Sequence, residues 1–163
     1  DNAGWYVYAG PNKLSEGAGM YTQLNLLKNI IATADTCIRL PHPGATLRYG
    51  HESDVLPLVC LMNLNGFGNP VDDLELLDDK GWNNYDIFPM ACNVQLIFYK
   101  NKRQTTSEQM KKGDILVKIL LNEDEAQLPI KTDKAPYYRW SDVRAYMKQR
   151  IASAPAIKQQ DNK

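Results

Sequence analysis

His51 and Glu52 stand side by side in the stretch Ala45-Thr-Leu-Arg-Tyr-Gly-His-Glu-Ser-Asp54, just ahead of the apolar run Val55 to Leu64. An imidazole can bind an anion, and a neighbouring carboxyl can give it a proton. The pattern predicts a short buried strand, a sharp turn carrying the pair, and a buried helix. In open α/β sheets ligands sit where a strand ends and a helix begins. Free N–H groups and the helix dipole suit that place to phosphate. Gly50 permits a tight turn and a close approach of ligand to backbone. Asp54 is expected to N-cap the helix, with Pro57 at its third position, where no N–H is needed.

The elements that must position this pair follow from periodicity. Trp5-Tyr-Val-Tyr8 reads as a short strand, and Gly10-Pro11-Asn12 and Gly17-Ala18-Gly19 as turns. Met20, Leu24, Leu27, Ile31, Ala34 and Ile38 recur at steps of three and four and predict a helix with one apolar stripe. Leu40-Pro-His-Pro-Gly44 ends it, and His42 there reads as part of a stiff exposed loop. Residues 55–64 have almost no polar face, as in a helix buried on most sides. The acidic residues 72–79 lack the ligand spacing of a calcium loop and read as a solvated segment. Cys92 to Lys100 predicts a strand apolar on both faces, as in a central strand, and Ile115 to Leu121 the next one. The basic link between them, residues 100–114, reads as a solvated hairpin loop, with a cationic lip for an anionic substrate as the other reading. Asn122-Glu-Asp-Glu125 is a turn, and Ala126 to Ile130 a short returning strand. Ser141 is expected to cap a last helix whose apolar face is Val143, Tyr146, Met147 and Ile151. Residues 1–153 form one α/β domain and 154–163 a polar, disordered tail.

The 163 residues suffice for one domain with a core. Nineteen basic and nineteen acidic residues cancel, which points away from a nucleic-acid surface. No apolar run is long enough to span a bilayer. The chain opens Asp1-Asn2-Ala3-Gly4 without an initiator Met, the expectation for a processed protein or a piece of a longer one. Cys37, Cys60 and Cys92 have no CxxC spacing, so no zinc site is expected. At most one disulfide can form, and the spacing leaves its pairing open.

Leu47-Arg-Tyr-Gly-His-Glu-Ser-Asp54 resembles the C-terminal active-site motif of the histidine acid phosphatases, the branch with phytases and inositol polyphosphate phosphatases. Gly10-Pro11, the segment Phe88 to Tyr99, and Ile115 to Asn122 with Leu128-Pro129 resemble further family segments in order and spacing. The resemblance covers most of residues 4–152. It implies a three-layer α/β/α sheet with an antiparallel hairpin and flanking helices, present here in part. It implies hydrolysis of phosphate monoesters, phytate or other sugar-like phosphates among them, through a phosphohistidine and without metal or other cofactor. A covalent step splits a hard displacement in two, and cationic groups hold the phosphoryl oxygens. By position His51 is the phosphate-binding histidine and Glu52 the proton donor, with His51 and Ser53 as substrate contacts and Asp54 as the other candidate donor. The family's setting implies a periplasmic or secreted protein.

The nucleophile motif of that family, Arg-His-Gly-x-Arg, occurs nowhere in the chain. The expectation is therefore a C-terminal part whose partner is the N-terminal part of the same protein, without turnover by itself. Its unpaired sheet edge and exposed apolar surface predict self-association. The alternative is a non-catalytic phosphate-binding or assembly module. A carboxylate-pair glycosidase is a third reading, supported only by residues 72–79.

Overall fold

A computed structural model describes residues 1–100 and 115–155. Among the described residues five α-helices and four strands order as α1 (Asn2–Ala9), α2 (Leu24–Cys37), α3 (Glu52–Met62), α4 (Asn84–Ile87), β1 (Val94–Tyr99), β2 (Leu116–Leu121), β3 (Asp124–Glu125), β4 (Tyr138–Arg139) and α5 (Trp140–Ala152). The result is a mixed α/β fold with a small antiparallel sheet. The basic link and the residues from 156 onward, where the tail was expected, lie outside the described residues.

The middle of the core is α3. Leu56, Val59, Cys60, Leu61 and Met62 are fully buried, with Leu64 just beyond. A helix apolar on every side must be covered on every side. It is also tied down at its C-terminal end by α5. The Arg150 guanidinium donates to the carbonyls of Leu61 (Nε, 2.8 Å) and Cys60 (Nη2, 3.4 Å), and the Tyr146 hydroxyl to that of Met62 (3.1 Å). These are carbonyls that a helix end leaves without intrahelical partners. Asn63 then turns the chain in the left-handed region at φ 54°. Gly68 packs where a Cβ would lie 2.2 Å from the Cys60 carbonyl, so only glycine fits there.

Leu27, Ile31 and Ala34 of the predicted stripe on α2 are buried. The helix is preceded by a 3-10 turn over Met20–Gln23 rather than starting at Met20. Asp35 joins α2 to α5, accepting from Trp140 Nε1 at 3.0 Å and Arg144 Nε at 2.7 Å. In α5, Val143 and Met147 are buried as expected, but the cap position is Arg139 and the helix already includes Trp140.

In the sheet, Val94, Leu96 and Phe98 pair with Leu121, Ile119 and Val117 on the core side. The expectation that residues 92–100 make the central strand is corrected. Among the described residues β1 pairs only with β2, and β2 is central. Its other edge takes β3 at Leu120–Leu121 and β4 at Leu116–Val117. On the outer face Ile97 lies opposite Lys118 and Tyr99 opposite Leu116, with the ring of Tyr137 at 5.1 Å from that of Tyr99. The returning strand is the two residues Asp124–Glu125, not 126–130. Residue 127 instead exchanges hydrogen bonds with Asn65, both backbone to backbone and side chain to backbone.

Two more expectations change. Trp5–Tyr8 is helical, because Asp1 Oδ1 accepts from Gly4 N at 2.6 Å and caps α1. Its Tyr6 is fully buried, with the hydroxyl accepting from Val71 N at 2.7 Å and the ring edge-on to Trp82 at 4.9 Å. The segment 45–50, expected as a buried strand, is exposed at every residue and pairs with no described strand. The solvated reading of 72–79 holds except at Leu77, which is buried.

Candidate functional site

The segment before the His-Glu pair lies along α2. Thr46 Oγ1 meets Cys37 Sγ at 3.7 Å, and Arg48 Nη2 donates to Asn29 Oδ1 at 2.7 Å and Thr33 Oγ1 at 2.8 Å. Thr33 lies four residues before Cys37 and Asn29 eight, so the segment runs antiparallel to α2. The alternation is that of a strand. Thr46 and Arg48 bind α2, while Leu47 and Tyr49 are 70 % and 91 % exposed. No backbone N–H or C=O of residues 41–50 bonds to the backbone of another described residue. The stretch thus has a strand's alternation of contacts and, among the described residues, no strand partner.

At its end the chain enters α3. His51, at φ −100° and ψ 169°, is the cap residue, so the helix starts earlier than expected and Asp54 is its third residue. Asp54 still serves the helix start. Its Oδ2 accepts from His51 N at 3.1 Å and its Oδ1 from Gln23 Nε2 at 3.3 Å. That is the reach-back half of a capping box. A Cβ on Gly50 would meet Asp54 Oδ2 at 2.7 Å, so glycine there leaves room for the cap rather than for a left-handed turn. Pro57 is the sixth helical residue, not the third. With no N–H it cannot donate to the Ser53 carbonyl four residues back.

His51 and Glu52 are both exposed at this N-terminus, and Ser53 is half-buried. With both Asp54 oxygens engaged, Glu52 is the carboxyl left to face a ligand. The Glu52 carboxylate lies near Cys92 from the loop after α4. Burial chiefly, and then Glu52, push the Cys92 thiol above its usual range. His42 stays apart, exposed in its proline loop.

On the other flank, α1 contributes an aromatic wall that the sequence reading missed. Trp5 meets Phe88 at 4.9 Å and Tyr8 at 5.9 Å, both edge-on. Trp5 and Tyr8, with Asp1, Gly4 and Ser53, line an open depression of about 330 Å³. The four-and-three spacing that puts Asp1, Trp5 and Tyr8 on one face was visible only once residues 2–9 were taken as helix.

Cys37, Cys60 and Cys92 are all free thiols. Burial raises the Cys60 thiol to about 12, so it serves as an inert core side chain. Among the described residues no three His, Cys, Asp or Glu side chains gather to hold a metal ion. Among them, too, no helix is long and apolar enough to cross a membrane. No family model matches the chain, and no curated protein matches it.

Proposed function

We propose that the chain is the C-terminal part of a periplasmic or secreted histidine acid phosphatase acting on phosphate monoesters. His51 and the α3 N-terminus hold the phosphoryl group, Ser53 contacts the substrate, and Glu52 protonates the leaving alkoxide. An N-terminal part of the same protein supplies the nucleophilic histidine, the arginines and the remaining strands of a three-layer sheet. One observation carries this reading. The exposed His-Glu pair sits where a segment that lies along α2, with no backbone partner among the described residues, runs into a buried helix. An exposed segment of that kind offers an edge to which a further strand can add. Leu47 and Tyr49 face the side where further protein would lie.

Two measurements test it. Titration with inorganic phosphate should shift the His51 imidazole resonances, and His51→Ala should abolish the response. The 163-residue chain should not hydrolyse p-nitrophenyl phosphate, because the attacking histidine is elsewhere; turnover lost in His51→Ala refutes that division of labour. The missing Arg-His-Gly-x-Arg motif favours one second reading, a phosphate-binding or assembly module without chemistry. Codons upstream of Asp1 separate the two: an Arg-His-Gly-x-Arg motif supports the phosphatase, and a start codon next to Asp1 supports the module.

A further inference from the structure

We infer that the chain holds a slot, between the segment 45–50 and the free edge of β1, for one β-strand of the N-terminal part of the same protein. The inference rests on the existence of that part, proposed above.

The free edge of β1 is defined residue by residue. In an antiparallel ladder, opposite residues alternate between pairs that exchange hydrogen bonds and pairs that do not. Asn122 N donates to Asn93 O at 2.8 Å, so position 93 is a bonded one. With Val94 opposite Leu121, the bonded positions that follow are Gln95, Ile97 and Tyr99. The N–H and C=O groups of Val94, Leu96 and Phe98 then point away from β2. They have no backbone partner among the described residues. The same three residues carry the core-facing side chains. These are half-buried, whereas Leu121, Ile119 and Val117 opposite them are buried. The core is closed over β2 and open at β1. No charge, proline or bulge blunts Val94–Tyr99 as an edge.

The segment 45–50 bounds the other side. Lys100, just after β1, donates from Nζ to the Leu40 carbonyl at 3.4 Å. Cys92, just before β1, lies near the Glu52 carboxylate. Residues 40–52 therefore run past β1 from its end to its start. Both stretches also rest on one layer of helices. Thr46 and Arg48 bond to α2. Phe98 meets Trp140 of α5 edge-on at 5.1 Å, and that indole donates to Asp35 of α2. A lysine stem of five bonds spans about 6 Å, which puts the Leu40 carbonyl within about 10 Å of the Lys100 Cα, or two ladder spacings of about 4.8 Å. One strand between the two edges would pair with both.

The slot selects its occupant. The edge of a second folded copy arrives with its own neighbouring strand and does not enter a gap bounded on both sides. A lone strand does, parallel to one neighbour and antiparallel to the other. Its neighbours are apolar on both faces, with Leu96 and Phe98 toward the helices and Ile97, Leu47 and Tyr49 away from them. Arg48 is engaged by Asn29 and Thr33. The occupant is therefore an uncharged strand apolar on both faces. The stretches outside the described residues, 101–114 and 156–163, are polar and charged in sequence, so the N-terminal part supplies it.

The test is amide hydrogen exchange in the 163-residue chain at low concentration and in the longer product encoded with the codons upstream of Asp1. In the 163-residue chain Leu96 and Phe98 should exchange fast, and Gln95 and Ile97, held by β2, slowly. In the longer product Val94, Leu96, Phe98 and alternate residues of 45–50 should slow by at least about tenfold, the weight of one hydrogen bond. Val94→Pro removes one outward N–H and spares the bonds to β2. It should leave the urea midpoint of the 163-residue chain in place and lower that of the longer product. Gln95→Pro cuts a bond to β2 and should lower both. Outward amides that stay fast in the longer product overturn the inference and leave the proposed function standing. So do outward amides already slow in the 163-residue chain, and slowing that grows with its concentration assigns the edge to a second copy instead. A start codon next to Asp1 overturns both.

Discussion

Asp54 and Glu52 are two carboxylates two residues apart; the first is held at the helix start and the second is exposed, a difference that mutation can separate. Asp54→Ala removes the acceptor of His51 N–H and of Gln23 Nε2. Losing a helix-start hydrogen bond costs about 0.5–1.5 kcal/mol, and losing a first-turn negative charge about 0.3–1 kcal/mol. The expected destabilisation is therefore about 1–2 kcal/mol. Asp54→Asn keeps an acceptor and loses only the charge, so about 0.3–1 kcal/mol is expected. Glu52→Gln alters an exposed side chain and should stay within about 0.5 kcal/mol. Urea denaturation reads all three. The midpoint for Asp54→Ala should fall by roughly 0.5–1 M at unchanged slope, taking a slope of about 2 kcal/mol per M. If the proposed function holds, the order reverses for turnover of the longer phosphatase, with Glu52→Gln losing it and Asp54→Asn keeping most of it. Asp54→Ala as stable as the parent, together with Asp54→Asn losing turnover, refutes the assignment and makes Asp54 the donor.

Other outcomes follow from single contacts. Asp35→Ala leaves the buried Trp140 indole N–H without its acceptor and should cost about 1–3 kcal/mol in the same urea assay. Toward a disulfide reagent at neutral pH, exposed Cys37 should react first, Cys92 more slowly, and Cys60 only after unfolding. Glu52→Gln should speed Cys92, because one of the charges raising its thiol is gone. The hydrogen-bonding guanidinium of Arg139 holds Asp133 at about 2, below its ordinary 3.8. A depressed carboxyl adds stability above its unfolded value and loses it as pH falls from about 3.8 toward 2. NMR titration of Asp133 should therefore show a midpoint near the lower value, moving up in Arg139→Gln. Tyr49→Lys with Leu47→Lys should reduce self-association of the chain in light scattering, if those side chains carry it.

Where local pattern and burial agree, the sequence was legible. The three-and-four spacing of Leu27, Ile31 and Ala34 marked α2, and the unbroken apolar run marked α3 as the buried helix. Val143 and Met147 likewise marked the inner face of α5. The His-Glu pair was found at a helix N-terminus as expected. Misreadings arose where one short contact outweighs propensity. Trp5-Tyr-Val-Tyr8 has the composition of a strand, but the Asp1 cap and packing of Tyr6 against Trp82 make it a helix. That misreading also hid the aromatic wall beside Ser53. Asp54 looked like a cap and is one, but from inside the helix, because a carboxylate at the third position can reach back to the first N–H. Ala45 to Gly50 has a strand's alternation, yet pairing depends on a second chain segment, which no local pattern supplies. The outer face of β1 looked central because Ile97 and Tyr99 are apolar. Across the strands Tyr99 meets Leu116 and Tyr137, and Ile97 lies opposite Lys118.

The clamp on the far end of α3 has a mechanical consequence for its near end. Arg150 and Tyr146 grip its last carbonyls while Asp54 and Gln23 grip its first turn, so the helix is a strut pinned at both ends. A pinned strut cannot slide along its axis when a charged ligand arrives. Little reorganisation then accompanies binding, and the dipoles at the His51 end are already aimed. Loosening the distant grip, as in Arg150→Ala, should blur the position of His51 without touching any residue near it.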